Sequence, residues 1–155
     1  MSRSCYPDFV RGVLIISRDW QSRALLRAQL IEEGCDVRAL TSPAAASKLL
    51  ARPPAQSPRS EAESHKTKTS GGFLAVLVLA DISLISDRVE IDELKSLARK
   101  LPAGAALWAI ASHDSTDKER LAILKGPRLE NVLFRPIDAG KLVEQIRRRV
   151  QGAGN

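Results

Sequence analysis

The eight consecutive apolar residues Phe73–Ala80 (FLAVLVLA), closed by Asp81, constrain the fold of this chain more than any other feature. A strand with one wetted face alternates apolar and polar residues, so an unbroken apolar run of this length marks a strand covered on both faces. It is far too short to cross a bilayer, which takes roughly 20 apolar residues. It therefore reads as the central strand of a sheet sandwiched between helices. Val13-Leu14-Ile15-Ile16 is a second run of the same kind, ending at Ser17-Arg18-Asp19. From Trp20 to Glu33 there is no Pro or Gly, Ala24, Leu25, Leu26, Leu30 and Ile31 are interspersed with Arg23, Arg27 and Glu32, and Gly34 follows as a C′ residue. That stretch predicts the first helix.

The same alternation continues to the end of the chain. Asp36–Leu40 predicts strand two, and Ser42-Pro43 opens a helix over Ala44–Leu50, with Ser42 as cap and Pro43 in the first turn. After the central strand, Leu94, Leu97, Ala98 and Leu101 recur at helical spacing up to Pro102. Ala105–Ala111 predicts strand four, and Thr116 with Glu119 predicts a capping box for a helix ending at Gly126-Pro127. Asn131–Phe134 predicts strand five. Asp138 precedes a last helix with Leu142, Ile146 and Val150 on one face. Five strands alternating with five helices imply an α/β fold, a doubly wound parallel sheet with helices on both faces. Residues 53–72 contain no large aliphatic side chain and are expected to form a mobile insertion. Residues 1–11 are expected to be an N-terminal arm, 12–150 the domain and 151–155 a tail.

Composition narrows the function. At 155 residues with 44% apolar, the chain can build one core without disulfides or metals. Cys5 and Cys35 form no paired or metal-binding spacing, and residues 1–11 lack the apolar stretch of a secretory signal, so a cytoplasmic, non-membrane protein is expected. The net charge of +6 comes without a platform of aromatic side chains, so nucleic acid is not the expected partner. No G-x-G-x-x-G follows strand one and no nucleophile–base spacing is present, which argues against a nucleotide-binding or flavodoxin-like enzymatic domain. His65 and His113 read as solvated loop residues, Trp108 as packed beneath a helix and Trp20 as exposed.

In doubly wound sheets the chemistry lies at the carboxyl ends of the strands. Ser17-Arg18-Asp19, Asp81, Ala111 to His113 and Arg135-Pro136 should therefore share one edge. There the segments VLIISRDWQSRALLRAQLIEEG, VLVLADISL and NVLFRPID resemble the opening, the phosphoacceptor strand and the closing Lys-Pro turn of a bacterial response-regulator receiver domain. The resemblance runs from Val13 to about Val150 and implies a flavodoxin-like strand order, 2-1-3-4-5. It also implies a role in two-component (phosphorelay) signalling through protein contacts, with a sensor histidine kinase, phosphotransfer protein or other signalling protein as partner. Because only Gln151–Asn155 follow Val150, a single-domain module is expected.

The resemblance makes Asp81 the phosphoacceptor candidate and shows what has changed around it. The acidic pair that holds Mg²⁺ in the family falls on Ser17 and Arg18, the hydroxyl ending strand four on Ala111, and the lysine before Pro136 on Arg135. Ile85 and Val89 stand at the family's Pro and Gly positions. Two carboxylates are the usual way to hold a hard cation, so weak or absent Mg²⁺ binding is expected. Arg18 and Arg135 are expected to supply fixed positive charge beside Asp81, and Asp19 to cap the first helix. The preferred reading is structural: an Asp ending a buried central strand pairs with Arg18 or Arg135 and holds the loops of the sheet edge together. By resemblance, Lys141, Arg147 and Arg148 lie on a helix-four, strand-five, helix-five face that contacts partners. The arginines also read as cations in a last helical turn, where the macrodipole favours them. The alternative function is a non-phosphorylated scaffold with a receiver fold.

Overall fold

The computed structural model describes residues 10–51, 73–85 and 87–153. Five strands, β1 (Val10–Ile16), β2 (Asp36–Leu40), β3 (Phe73–Asp81), β4 (Ala106–Ala111) and β5 (Leu129–Phe134), alternate with α1 (Trp20–Glu32), α2 (Pro43–Ala51), α3 (Arg88–Arg99), α4 (Ser115–Leu124) and α5 (Ala139–Ala153). All pairings are parallel, in the order β2-β1-β3-β4-β5. The run that anchored the sequence reading is indeed the central strand, buried from Ala75 onward.

The two faces of the sheet are covered unequally. Leu14, Ile16, Val78, Ala80, Leu107 and Ala109 pack under α2, α3 and α4, while Val13, Ile15, Leu77, Leu79, Trp108 and Ile110 pack under α1 and α5 alone. Burial of successive residues on opposite faces explains why β1 and β3 show no alternation. Two helices, each about 10 Å across, just span five strands about 4.8 Å apart, and a cavity lies between α1 and α5 on that face. Close approach of β1 to β2 requires Gly12, because a Cβ there would lie 2.1 Å from the Asp36 carbonyl oxygen.

Element boundaries differ from expectation at the start of β1, the end of α5 and the cap of α4. β1 begins at Val10, so Val10 and Arg11 belong to the sheet rather than to an arm, paired through backbone with Phe73 and Leu74. α5 continues to Ala153, because no proline intervenes, and residues 151–153 are helix rather than tail. That extension removes Arg147–Arg149 from the last turn, so the macrodipole explanation for them does not apply. The cap of α4 is Asp114, whose carboxylate accepts from the Asp117 N–H; Thr116 lies inside the helix. An ionised carboxylate one residue before the helix outcompetes a hydroxyl for the free N–H groups. The predicted insertion, 53–72, lies outside the described residues. Among those residues, no helix is long and apolar enough to cross a membrane.

Candidate functional site

The carboxyl edge of the sheet gathers the expected residues because each strand ends where its apolar run ends. Asp81 closes β3 and is 4% exposed. Its Oδ1 accepts from the Ser83 N–H at 3.2 Å and from the Ser83 hydroxyl at 2.6 Å, while Oδ2 is ion-paired with Arg135 Nη2. Arg135, carried just past β5 and followed by a cis peptide to Pro136, also donates from Nε to Ser83 Oγ at 3.2 Å. The guanidinium thus spans Ser83 and Asp81 as a fork, a geometry a lysine cannot reproduce.

Arg18 behaves otherwise than expected. It turns away from Asp81 and pairs with Glu90 in the first turn of α3. Glu90 reaches the loop after β1 from the start of α3, whereas Asp81 already has a cation within the sheet edge. Among the described residues, the charge paired with Asp81 is therefore that of Arg135. Ser17 is buried, accepts from the Asp19 N–H at 3.1 Å, and its carbonyl accepts from Arg23 at 2.7 Å.

Asp19 caps α1, accepting from Gln21 N–H at 3.2 Å and the Ser22 hydroxyl at 2.6 Å. The Ser22 hydroxyl above all, opposed by partial burial and assisted by backbone N–H bonds and Arg135, holds its carboxyl below the ordinary value. Asp114 is lowered in the same way, chiefly by the Asp117 N–H and then by Ser112. A carboxyl whose pKa is depressed in the folded state adds stability above its unfolded pKa and loses it as pH falls through the folded one. Unfolding free energy is thus expected to decline on acidification from about pH 5 toward pH 3. The paired substitutions Asp19→Asn and Asp114→Asn keep competent caps and should flatten that slope; an unchanged slope in denaturant titrations at successive pH values counts against this assignment.

At the end of β4, Ala111 presents only a methyl group. The neighbouring Ser112 directs its hydroxyl and its N–H onto Asp117 Oδ2, at 2.9 and 2.7 Å. Asp117 is buried, and Arg120 links it to the Ile82 carbonyl. The loop after β4 is thereby tied to the turn after β3. His113 is exposed as expected, but its ring stacks on Phe134 with centroids 4.4 Å apart. Ser83, Glu90, Ser112, Asp117 and Arg120 were not anticipated as site residues. Two of these were findable: Asp-x-Ser at 81–83 is an Asx-turn pattern, and Asp-x-x-Asp at 114–117 is a capping signature.

The residues replacing the acidic pair do not fit Mg²⁺. Ser17 offers one neutral oxygen, Arg18 is a cation, and Asp81 is already engaged by a guanidinium. Among the described residues no three His, Cys, Asp or Glu side chains cluster as a metal site.

On α5, Lys141 and Arg148 lie on the exposed line, Arg148 bonding Glu144 at 2.8 Å. Arg147 instead leans toward α1, 3.6 Å from Glu33, and Arg149 reaches Glu130 and the Gly104 carbonyl. Lys141 and Arg148 thus share an exposed line of α5 from which Arg147 is turned, because a helix turns successive side chains by about 100°.

No protein-family model matches the chain, and no curated protein is significantly similar to it. Solved structures resemble it in fold. A CheY-like response regulator receiver domain protein from Methanospirillum hungatei JF-1 superposes with TM-score 0.62 at 16% identity, over 94% of this chain and 97% of the other. The receiver domain of NtrX from Brucella abortus gives 0.58 at 20% identity, over 90% and 98%. A response regulator receiver protein from Pseudomonas putida gives 0.59 at 16% identity, over 90% and 97%. The chain has the receiver fold.

Proposed function

We propose that this receiver-fold chain is a signalling module that acts through protein contacts, in which Asp81 serves as the ion-pair partner of Arg135 rather than as a Mg²⁺-dependent phosphoacceptor. The Arg135–Asp81–Ser83 fork carries the reading. A phosphoacceptor carboxylate must present a free oxygen in line with the phosphoryl group while cations neutralise the charge that develops on it. Here Ser83 donates twice to Oδ1 of Asp81, and the guanidinium on Oδ2 neutralises the carboxylate itself rather than an incoming phosphoryl group. The methyl group of Ala111 has no donor for a phosphoryl oxygen, and the hydroxyl of the next residue, Ser112, is committed to Asp117. Signalling then depends on a surface held in one arrangement. The partners this reading favours are a sensor kinase, a phosphotransfer protein or another protein of a two-component pathway, with Lys141 and Arg148 as contact candidates. A scaffold role differs from this only in the identity of the partner.

Incubation with a small phosphodonor and Mg²⁺, followed by intact mass, tests it. The expected result is no phosphoryl increment that depends on Asp81. An increment present in the native chain and abolished by Asp81→Asn would overturn the reading.

A further inference from the structure

The seam between α1 and α5 opens into a cavity of about 220 Å³ at the carboxyl edge of the sheet. Its floor is Ile15, Leu79 and Ile110, and its walls are Leu26 of α1 and Leu142 of α5, all buried apolar side chains. Ala139, the first residue of α5, also lines it, and its short side chain leaves the α5 side open. Leu25 stands at the rim, 52% exposed although it faces apolar surface. Ser17, Asp81 and Arg135 form the other end.

We propose that this cavity binds a small uncharged amphiphile, with its alkyl part on the floor and a hydrogen-bonding head group, such as a primary amide, against the Asp81–Arg135 pair. Three observations define that ligand. The cavity is smaller than the several hundred Å³ of drug-sized sites and holds roughly ten non-hydrogen atoms at interior packing density. Its lining is apolar everywhere except at one end, so an alkyl chain gains the transfer free energy of burial there. That polar end is charge-balanced: a carboxylate head would meet Asp81, and an ammonium head would meet Arg135, each losing hydration without a net partner.

A neutral amide meets complementary groups instead. Arg135 Nη1 makes no hydrogen bond among the described residues, and the Ser17 hydroxyl proton has no acceptor among them, which leaves two donors on lining residues for a head-group carbonyl. Asp81 Oδ2, bonded only by Arg135, has room to accept from the amide N–H. Occupancy would add contacts to the ion pair that stands where phosphochemistry is expected, giving the module a small-molecule input at that edge. The proposal rests on the ion pair described above and can be tested separately from it, because binding is measured on unphosphorylated protein whatever a phosphodonor does.

The test is calorimetric titration of the full chain with octanamide, octanoate and octylammonium, each below its aggregation threshold, with amide NMR to locate the site. Octanamide should bind with shifts at Ser17, Asp81 and Ile137, and the two charged analogues should bind roughly tenfold or more weakly. Ala139→Phe, which fills the cavity, should abolish binding, and Leu25→Glu, at an exposed rim position that does not threaten folding, should weaken it. Absence of octanamide binding, equal binding of all three compounds, shifts confined to another surface, or affinity unchanged in Leu25→Glu would each overturn the proposal.

Discussion

Replacing Asp117 by alanine is expected to lower the unfolding free energy by about 3 kcal/mol, the scale for removing one partner of a buried, hydrogen-bonded charge. Asp117 is 2% exposed and is the acceptor for both the N–H and the hydroxyl of Ser112, while Arg120 lies 3.4 Å from its other oxygen. Deleting the carboxylate leaves the part-buried N–H and hydroxyl of Ser112 without that acceptor, while Arg120 retains only the Ile82 carbonyl. Asp117→Asn retains one acceptor oxygen and should lose roughly half as much. Urea denaturation gives the magnitude, and hydrogen exchange at Ser112 gives the location. A midpoint unchanged in Asp117→Ala would show that the network contributes nothing. The consequence is functional as well as structural, since this network holds the loop after β4 against the Ile82 carbonyl and commits the Ser112 hydroxyl beside Ala111.

The second large effect concerns the sign of a substitution at Asp81. In a pocket crowded with carboxylates, neutralising one relieves repulsion and stabilises the fold. Here the nearest charge to Asp81 is a guanidinium, so Asp81→Asn should destabilise the domain, by about 1 kcal/mol after discounting for Arg135, which is 40% exposed and partly screened. Arg135→Gln should cost more, about 2–3 kcal/mol, because it leaves a 4%-exposed carboxylate without its cation. The double variant should recover part of that loss, since removing both charges leaves neither one buried alone. Stabilisation by Asp81→Asn, measured by denaturant titration, would contradict the ion-pair account.

How much of this was legible in the sequence follows from the range of the interactions. Strand identity, order of elements and the caps at Asp19 and Ser42 are local, set by β-branched runs and by side chains bonding N–H groups two or three residues away. The ends of β1 and α5 were misjudged because pairing with β3 and an unbroken helical ladder carried them beyond the obvious hydrophobic pattern. Arg18 illustrates the harder case. Two acids were available to it, and the choice of Glu90, 72 residues away, depends on where the first turn of α3 sits relative to the loop after β1. The Arg135–Asp81 pair, 54 residues apart, was anticipated because strand order in a doubly wound sheet brings the ends of β3 and β5 to one edge. The cavity was not legible at all, since its lining comes from β1, β3, β4, α1 and α5, elements far apart in sequence.

The central claim, that Arg135 occupies electrostatically the place of a metal at Asp81, is tested most directly by titrating the protein with Mg²⁺, with and without beryllofluoride, and following backbone amide NMR shifts. The account predicts no saturable shift at Ser17, Arg18, Asp81 or Ser83 at millimolar Mg²⁺. Saturable shifts at those residues, strengthened by beryllofluoride and lost in Asp81→Asn, would contradict it.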